Sequence, residues 1–184
     1  SSAASDVYKR QIYQTLALAN HLDTPANLFL GRELKTRWGN LDDKRMLNEA
    51  KKILVRLNPN FQNLRDPVVR LSGGQRQVIA IARAIYFDVK ILIMDEPTAA
   101  LGPSETAMVA TLIQQLRQEG IGILLVSHDM HDVFNLCDRV MVMNRGCNAG
   151  TYKIEHVNKD DVLSLIIKGS LPDSWEPRHL QKMQ

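Results

Sequence analysis

The chain has 184 residues, of which 23 are basic and 20 acidic, so its formal net charge is +3. Hydrophobic residues make up 45% and charged residues 23%, which is typical of one globular domain and excludes an intrinsically disordered chain. The small positive charge excludes a strongly basic nucleic-acid arm, and the longest apolar stretches are too short to cross a bilayer. The two cysteines, Cys137 and Cys147, are predicted to be reduced thiols in a cytosolic setting.

Residues 1–11, Ser-Ser-Ala-Ala-Ser-Asp-Val-Tyr-Lys-Arg-Gln, have neither helical nor strand periodicity. They resemble the in-frame translation of a transposon-end adapter that is used to build sequencing libraries. We therefore expect a non-native peptide here, in place of the true start of the protein. A disordered native terminus is the alternative.

Residues 12 to about 70 are predicted to be mostly helical, since apolar residues recur at helical spacing between Met46 and Leu57. A second helix is predicted over about 73–86. Fully buried strands follow over 90–95 and 121–127, and helices over 103–119 and 129–136. A third strand over 140–143 has a hairpin partner over 147–154, a final helix covers 159–168, and the tail is predicted to be loosely held. Strands that alternate with helices predict an α/β domain with a parallel sheet.

The first candidate site is the sequence Leu-Ser-Gly-Gly-Gln at residues 71–75, which Arg-Gln follows. Ser72 lies at an N-cap position, and Gly73 and Gly74 allow the backbone to come close to a ligand. The free N–H groups and the helix dipole favour an anion such as phosphate. A plain capped helix is the alternative for Ser-Gly-Gly alone, whereas the full run through residue 77 favours the phosphate site.

The second candidate site is a pair of carboxylates, Asp95 and Glu96, at the end of the strand predicted over 90–95. Ligands of open parallel sheets bind at this carboxyl edge. Asp95 is placed to hold Mg²⁺ through water beside a phosphate, and Glu96 to polarise a water molecule. An exposed acidic turn is the alternative, which the four preceding apolar residues disfavour.

The third candidate is His128, which follows the strand predicted over 121–127 as the carboxylates follow theirs. A lone histidine is more often structural than catalytic. The position at the end of a predicted buried strand favours a functional role. No further His or Cys completes a zinc set with His131, so zinc is not predicted.

In this order and spacing, the three motifs resemble those of the ATP-binding-cassette (ABC) ATPases, over roughly residues 12–168. Residues 71–75 resemble the signature motif, Asp95–Glu96 the Walker B motif and His128 the switch histidine, while Tyr13-Gln14 resembles the Q-loop. The resemblance implies a P-loop NTPase-like core, which is a parallel sheet with flanking helices. A helical subdomain would cover about 15–70, the three motifs 71–168, and a C-terminal tail 169–184.

The resemblance also implies which residues act on Mg-ATP bound between two subunits of a homodimer. Gln14 and Asp95 would attend the Mg²⁺, Glu96 would orient or deprotonate the attacking water, and His128 would contact the γ-phosphate. The nucleotide-binding residues would be Gln14, Ser72, Gly73, Gly74, Gln75 and Asp95.

A narrower likeness is to the ATPase subunits of bacterial monosaccharide importers. It rests on residues 12–18 (Ile-Tyr-Gln-Thr-Leu-Ala-Leu), 24–33 (Thr-Pro-Ala-Asn-Leu-Phe-Leu-Gly-Arg-Glu) and 96–103 (Glu-Pro-Thr-Ala-Ala-Leu-Gly-Pro). It implies a peripheral motor at the cytoplasmic face of the plasma (inner) membrane. The helical segment would dock an integral membrane permease, a periplasmic sugar-binding protein would be an indirect partner, and no nucleic acid is expected. A non-transport ABC ATPase of DNA repair or translation is the alternative, which the weak charge and the lack of a heptad run disfavour.

The sequence departs from the family pattern in two places. Gly102 stands where many ABC proteins have an aspartate that makes a contact across the dimer, so this sequence lacks the side chain for that contact. No glycine is followed by lysine, so the phosphate loop Gly-x-x-x-x-Gly-Lys-Ser/Thr (Walker A) is absent from this sequence. We therefore expect an N-terminally truncated ATPase, which hydrolyses ATP in its full-length form but not as the present chain.

Overall fold

The computed structural model describes residues 9–12, 16–87, 89–172 and 175–177, of which residues 9–11 are described by their backbone alone. The chain divides into two compact units, Ser1–Val126 and Ser127–Gln184. None of the helices in the described part of the chain is both long and apolar enough to span a membrane.

A three-stranded parallel sheet, in the order β1-β2-β3, lies in the first unit. Its strands are β1 (Lys9–Ile12), β2 (Ile91–Asp95) and β3 (Gly122–Val126). Ile12 pairs with Met94 and Met94 with Leu125, so the three strands end at one edge of the sheet. This confirms the predicted α/β class with a parallel sheet.

β1 includes residues that the sequence does not predict to be a strand. Ile12, which was expected to begin the helical segment, instead ends β1, so that boundary is wrong. Lys9–Ile12 also includes the last residues of the adapter-like stretch, which pair with β2. The non-native origin of residues 1–11 stays a prediction.

The helices of the first unit pack mainly around one central helix, which covers Gly73–Ile85. They are α1 (Thr24–Phe29), α2 (Asp43–Leu57), α3 (Gly73–Ile85) and α4 (Pro103–Gln118), with a 3₁₀ turn at Val68–Arg70. α3 is central because it contacts α1, α2, α4 and β1, and Val78, Ile79 and Ile81 on it are fully buried. The apolar face predicted for α2 is confirmed, since Met46, Ile53 and Leu57 are buried.

β3 is more open than the sequence predicts. Leu124 and Val126 are 51% and 48% exposed, so the expectation of a strand buried on both faces is wrong here. The physical reason is that β3 is an edge strand of the described sheet and has one strand neighbour, β2. An apolar sequence alone does not reveal which strand of a sheet lies at the edge.

The second unit is built on an antiparallel hairpin of β4 (Arg139–Asn144) and β5 (Cys147–Lys153), which confirms the predicted hairpin. Its helices are α5 (Met130–Leu136) and α6 (Lys159–Lys168), and a 3₁₀ turn covers Ile154–His156. Asn158 caps α6 as predicted, because its side chain accepts a hydrogen bond from the Asp161 N–H. Leu171 and Trp175 pack on the hairpin core, so the prediction of a loosely held tail is wrong for these two residues.

Candidate functional site

Ser72 is the N-cap of α3, as the sequence predicts. Its Oγ accepts a hydrogen bond from the Gln75 N–H at 3.3 Å, and Gln75 Oε1 accepts one from the Ser72 N–H at 2.9 Å. This reciprocal pair is a capping box, which satisfies two backbone donors at the helix start. The side chain of Ser72 is exposed, so the cap lies at the surface of the first unit.

Gly73 and Gly74 lie against the first turn of α4. A Cβ added at Gly73 would lie 2.7 Å from Leu101 Cδ2. One added at Gly74 would lie 2.7 Å from Met108 Cε and 3.0 Å from Glu105 Cβ. The sequence explains these glycines by the approach of a ligand, whereas in the structure it is a neighbouring helix that comes close.

Glu105 is the residue of this site that the sequence reasoning missed. Its Oε1 accepts a hydrogen bond from the Gly74 N–H at 3.1 Å, and its Oε2 accepts one from the Gly102 N–H at 3.3 Å. A hydrogen bond with the Ser72 side chain, followed by those from Gly74 and Gly102, lowers the pKa of the Glu105 carboxyl from its ordinary value of 4.5. The charge of Arg76 has a smaller effect in the same direction.

A sequence signal for Glu105 exists, but it predicts only half of these contacts. Gly-Pro-Ser-Glu at residues 102–105 is typical of a helix start with an acidic residue in its first turn. That pattern predicts that Glu105 bonds to the start of its own helix. It cannot reveal the bond to Gly74, because Gly74 lies in another helix and far away in the sequence.

Asp95 and Glu96 lie at the carboxyl edge of the sheet, where the sequence places them. Asp95 ends β2, and the Glu96 N–H donates to the carbonyl oxygen of Val126 at 2.9 Å. Both carboxylate residues are half-buried. Glu96 has a φ of +49°, in the left-handed region, which costs a non-glycine residue about 1–3 kcal/mol and is concentrated at functional sites.

The segment 97–102, which leads along the chain to α4, links the carboxylate pair to the start of α3 by its contacts. It begins with a hydrogen bond from the Ala99 N–H to the Glu96 carbonyl oxygen at 3.1 Å, and Ala100 has a φ of +61°. It ends at Leu101 and Gly102, which lie against Gly73 and Glu105 respectively. The structure therefore brings two of the predicted motifs into one connected arrangement within the first unit.

The two remaining candidate residues are His128 and Gln14. His128 is exposed and lies in the second unit, close to the start of α5. The Asp129 side chain caps that helix by accepting a hydrogen bond from the His131 N–H at 2.7 Å. Gln14 lies outside the described residues. The roles of His128 and Gln14 toward a nucleotide stay predictions.

The donor set at the sheet edge fits a magnesium ion that arrives together with phosphate. No group of three His, Cys, Asp or Glu side chains among the described residues is arranged to hold a metal ion by itself. Mg²⁺ usually keeps several waters and takes one or two carboxylates beside substrate phosphates. The single carboxylate of Asp95 satisfies that requirement, and the ion would neutralise phosphate charge there.

Comparison with known proteins identifies the family. Residues 8–99, half of the chain, match the family model described as ABC transporter. The chain belongs to the ABC transporter family. This confirms the family that the signature and Walker B motifs predict.

Named relatives of this ABC chain are import proteins. The chain is 35% identical over 167 residues to the ribose import ATP-binding protein RbsA 2 of Burkholderia ambifaria, which covers 91% of this chain and 33% of the relative. It is 38% identical over 160 residues to the xylose/arabinose import ATP-binding protein XylG of Sulfolobus acidocaldarius, a match that covers 87% of this chain and 63% of the relative. The chain therefore spans about a third of the length of the ribose-import relative.

A solved ABC structure has the same fold. The ATP-binding cassette MJ0796, in a dimeric post-hydrolysis state bound to ADP and Pi, matches with a TM-score of 0.65. The match covers 81% of this chain and 64% of that chain at 23% sequence identity. The predicted ABC ATPase fold is thereby confirmed.

Proposed function

We propose that this chain is part of the ATP-hydrolysing motor subunit of an ABC importer for a monosaccharide. The observation that carries the proposal is the left-handed backbone of Glu96, directly after Asp95 at the carboxyl edge of the parallel sheet. A strained acidic residue at this edge has the position that a water-activating group needs. The names of the ribose and xylose/arabinose relatives support a sugar as cargo.

In the proposed reaction, the residues of this chain position the groups that react. Glu96 orients or deprotonates the attacking water, and Asp95 holds the magnesium ion of Mg-ATP together with Gln14. His128 contacts the γ-phosphate. Phosphoryl transfer depends mainly on such positioning and on charge stabilisation.

The second ATPase subunit of a homodimer is the proposed partner of the α3 start. Ser72 and Gly74 offer a hydroxyl and a backbone N–H at a helix N-terminus, which suits a phosphate oxygen of the nucleotide held by the other subunit. The dimeric state of the cassette MJ0796 supports this pairing. Because the present sequence contains no phosphate-loop motif, the proposal concerns the full-length protein, and the chain alone is expected to be inactive.

A groove in the first unit supports docking of an integral membrane permease. It has a volume of about 210 Å³, and both Arg32 and Arg83 contribute to its lining. Arg32 lies over the Phe87 ring, 4.5 Å from its centroid, and Arg83 donates to the carbonyl oxygen of Ala17 at 3.0 Å. Two guanidinium groups beside apolar side chains complement a short permease segment that carries a carboxylate. Docking there would hold the subunit at the cytoplasmic face of the membrane, with the periplasmic sugar-binding protein as an indirect partner.

The test is steady-state ATP hydrolysis by the purified full-length protein. Glu96→Gln is expected to lower turnover by about 100-fold or more, since general base catalysis contributes about 10²–10⁴-fold, while nucleotide binding is kept. Glu155→Gln is a matched control because Glu155 is an exposed residue of the second unit, whose carboxylate pairs with exposed Lys153 at 3.2 Å. Near-normal turnover in Glu96→Gln would contradict the proposal.

A further inference from the structure

Glu105 occupies a hydrogen-bond donor that the proposed function assigns to a phosphate. Its Oε1 accepts a hydrogen bond from the Gly74 N–H at 3.1 Å. A backbone N–H has one hydrogen to donate. A phosphate oxygen therefore cannot make full use of the Gly74 N–H while Glu105 holds it.

We propose that Glu105 is a positioning residue that holds the Gly74 N–H until a phosphate oxygen replaces its carboxylate. This inference rests on the proposed function. The replacement is an exchange of one anion for another at the same helix start. Repulsion between the two negative groups disfavours a state in which both are bound there.

The geometry indicates what happens to the displaced carboxylate. Oε2 accepts a hydrogen bond from the Gly102 N–H at 3.3 Å, and this contact lies within the first turn of α4 itself. Glu105 therefore keeps its bond to Gly102 when it releases Gly74. The exchange thus loosens the link between the start of α3 and the segment 97–102, which leads back to Glu96.

Packing between the two helices does not depend on the charge of Glu105. Leu101 and Met108 lie against Gly73 and Gly74, so apolar contacts join the helix starts. Glutamine has nearly the shape of glutamate and retains an oxygen that accepts hydrogen bonds. Glu105→Gln is therefore expected to fold, with the hydrogen bonds of the carboxylate weakened.

The experiment uses the full-length protein with Glu96→Gln, in which an ATP-bound dimer accumulates if the proposed function holds. The measured quantity is the ATP concentration at which dimerisation, followed by light scattering, is half-maximal. Adding Glu105→Gln is expected to lower this concentration by about tenfold, the effect of weakening one hydrogen bond to a charged group. Adding Glu105→Asp, which retains the charge, is expected to give a half-maximal concentration between that of Glu96→Gln alone and that of Glu96→Gln with Glu105→Gln. Adding the control Glu155→Gln is expected to leave it unchanged.

The outcomes separate the inference from the function on which it rests. If Glu96→Gln forms an ATP-dependent dimer and Glu105→Gln leaves the half-maximal concentration unchanged or raises it, the inference is overturned and the proposed function stands. If the Glu96→Gln protein forms no such dimer, the proposed function is overturned, and the inference with it.

A second measurement keeps the inference testable if Glu105→Gln does not fold. The carboxyl ¹³C resonance of Glu105 and the amide resonance of Gly74 are followed by NMR in the Glu96→Gln protein as ATP is added. Both are expected to shift together, because the same exchange changes both groups. A Gly74 shift without any Glu105 shift would overturn the inference.

Discussion

Replacing Gly74 by alanine separates two explanations of the glycine pair at the start of α3. Helix propensity alone predicts that Gly74→Ala stabilises the protein by up to about 1 kcal/mol. The structure predicts the opposite, because the new Cβ would lie 2.7 Å from Met108 Cε and 3.0 Å from Glu105 Cβ. Ordinary carbon–carbon contacts lie at about 3.5–4.0 Å. The end of the Met108 side chain can rotate away, whereas Glu105 Cβ is fixed to the backbone of α4, so α4 has to shift by a few tenths of an ångström. Overpacking of this kind costs about 1–3 kcal/mol. Less the gain of about 1 kcal/mol from helix propensity, this leaves a net loss of up to about 2 kcal/mol.

The assay is urea unfolding of the chain, followed by circular dichroism, with the free energy of unfolding taken by linear extrapolation. Gly122→Ala is the matched control, since its added Cβ would meet the Lys90 carbonyl oxygen at 3.5 Å, an ordinary contact. That control is expected to be neutral or to stabilise by up to about 1 kcal/mol, because glycine weakens a strand. A stabilising Gly74→Ala would contradict the predicted clash between α3 and α4.

The lowered pKa of Glu105 means that its ionised form stabilises the fold above the ordinary value of 4.5, and that this stabilisation is lost as the pH falls through the lower folded value. The urea midpoint of Glu105→Gln is therefore expected to lie below that of the wild type at pH 7, and the difference between the two midpoints is expected to shrink below pH 4.5. An equal difference at pH 7 and at low pH would contradict the contacts assigned to Glu105. Ser72→Arg is expected to abolish ATP-dependent dimerisation of the full-length protein, measured by gel filtration, because bulk and positive charge would enter the helix start that faces the nucleotide; a dimer that forms as in the wild type would contradict that placement. Arg83→Glu is expected to prevent co-purification with the permease while ATP turnover by the isolated ATPase is kept; the charge reversal Arg139→Glu on β4 is the control, and retained co-purification in Arg83→Glu would exclude the groove as the docking site.

The elements that the sequence predicts well are those whose signals are local. The N-cap of α3 at Ser72 and the helical spacing of its apolar residues lie in one short stretch of sequence. Likewise, the apolar run of β2 leads directly to Asp95. The position of the carboxylate pair follows from that run, since the end of a parallel strand lies at the carboxyl edge of its sheet.

What the sequence could not reveal depends on contacts between distant residues or on backbone angles. The bond from Gly74 to Glu105 joins two helices, and the exposure of Leu124 depends on which strand lies at the sheet edge. The left-handed backbone of Glu96 has no signature in its neighbours, since glycine is the residue that usually marks this conformation. Trp175 is anchored by Tyr152, 5.6 Å away between ring centroids, and no pattern in the tail predicts this contact.

The most direct test of the central proposal is sugar uptake driven by the full-length protein. Membrane vesicles that contain the permease, the ATPase and internal ATP are supplied from outside with the sugar-binding protein and labelled ribose or xylose. Uptake is compared between the wild type and Glu96→Gln. ATP-dependent uptake of a monosaccharide is expected for the wild type, and none above background for Glu96→Gln. Uptake by Glu96→Gln at the wild-type rate would contradict the proposed function.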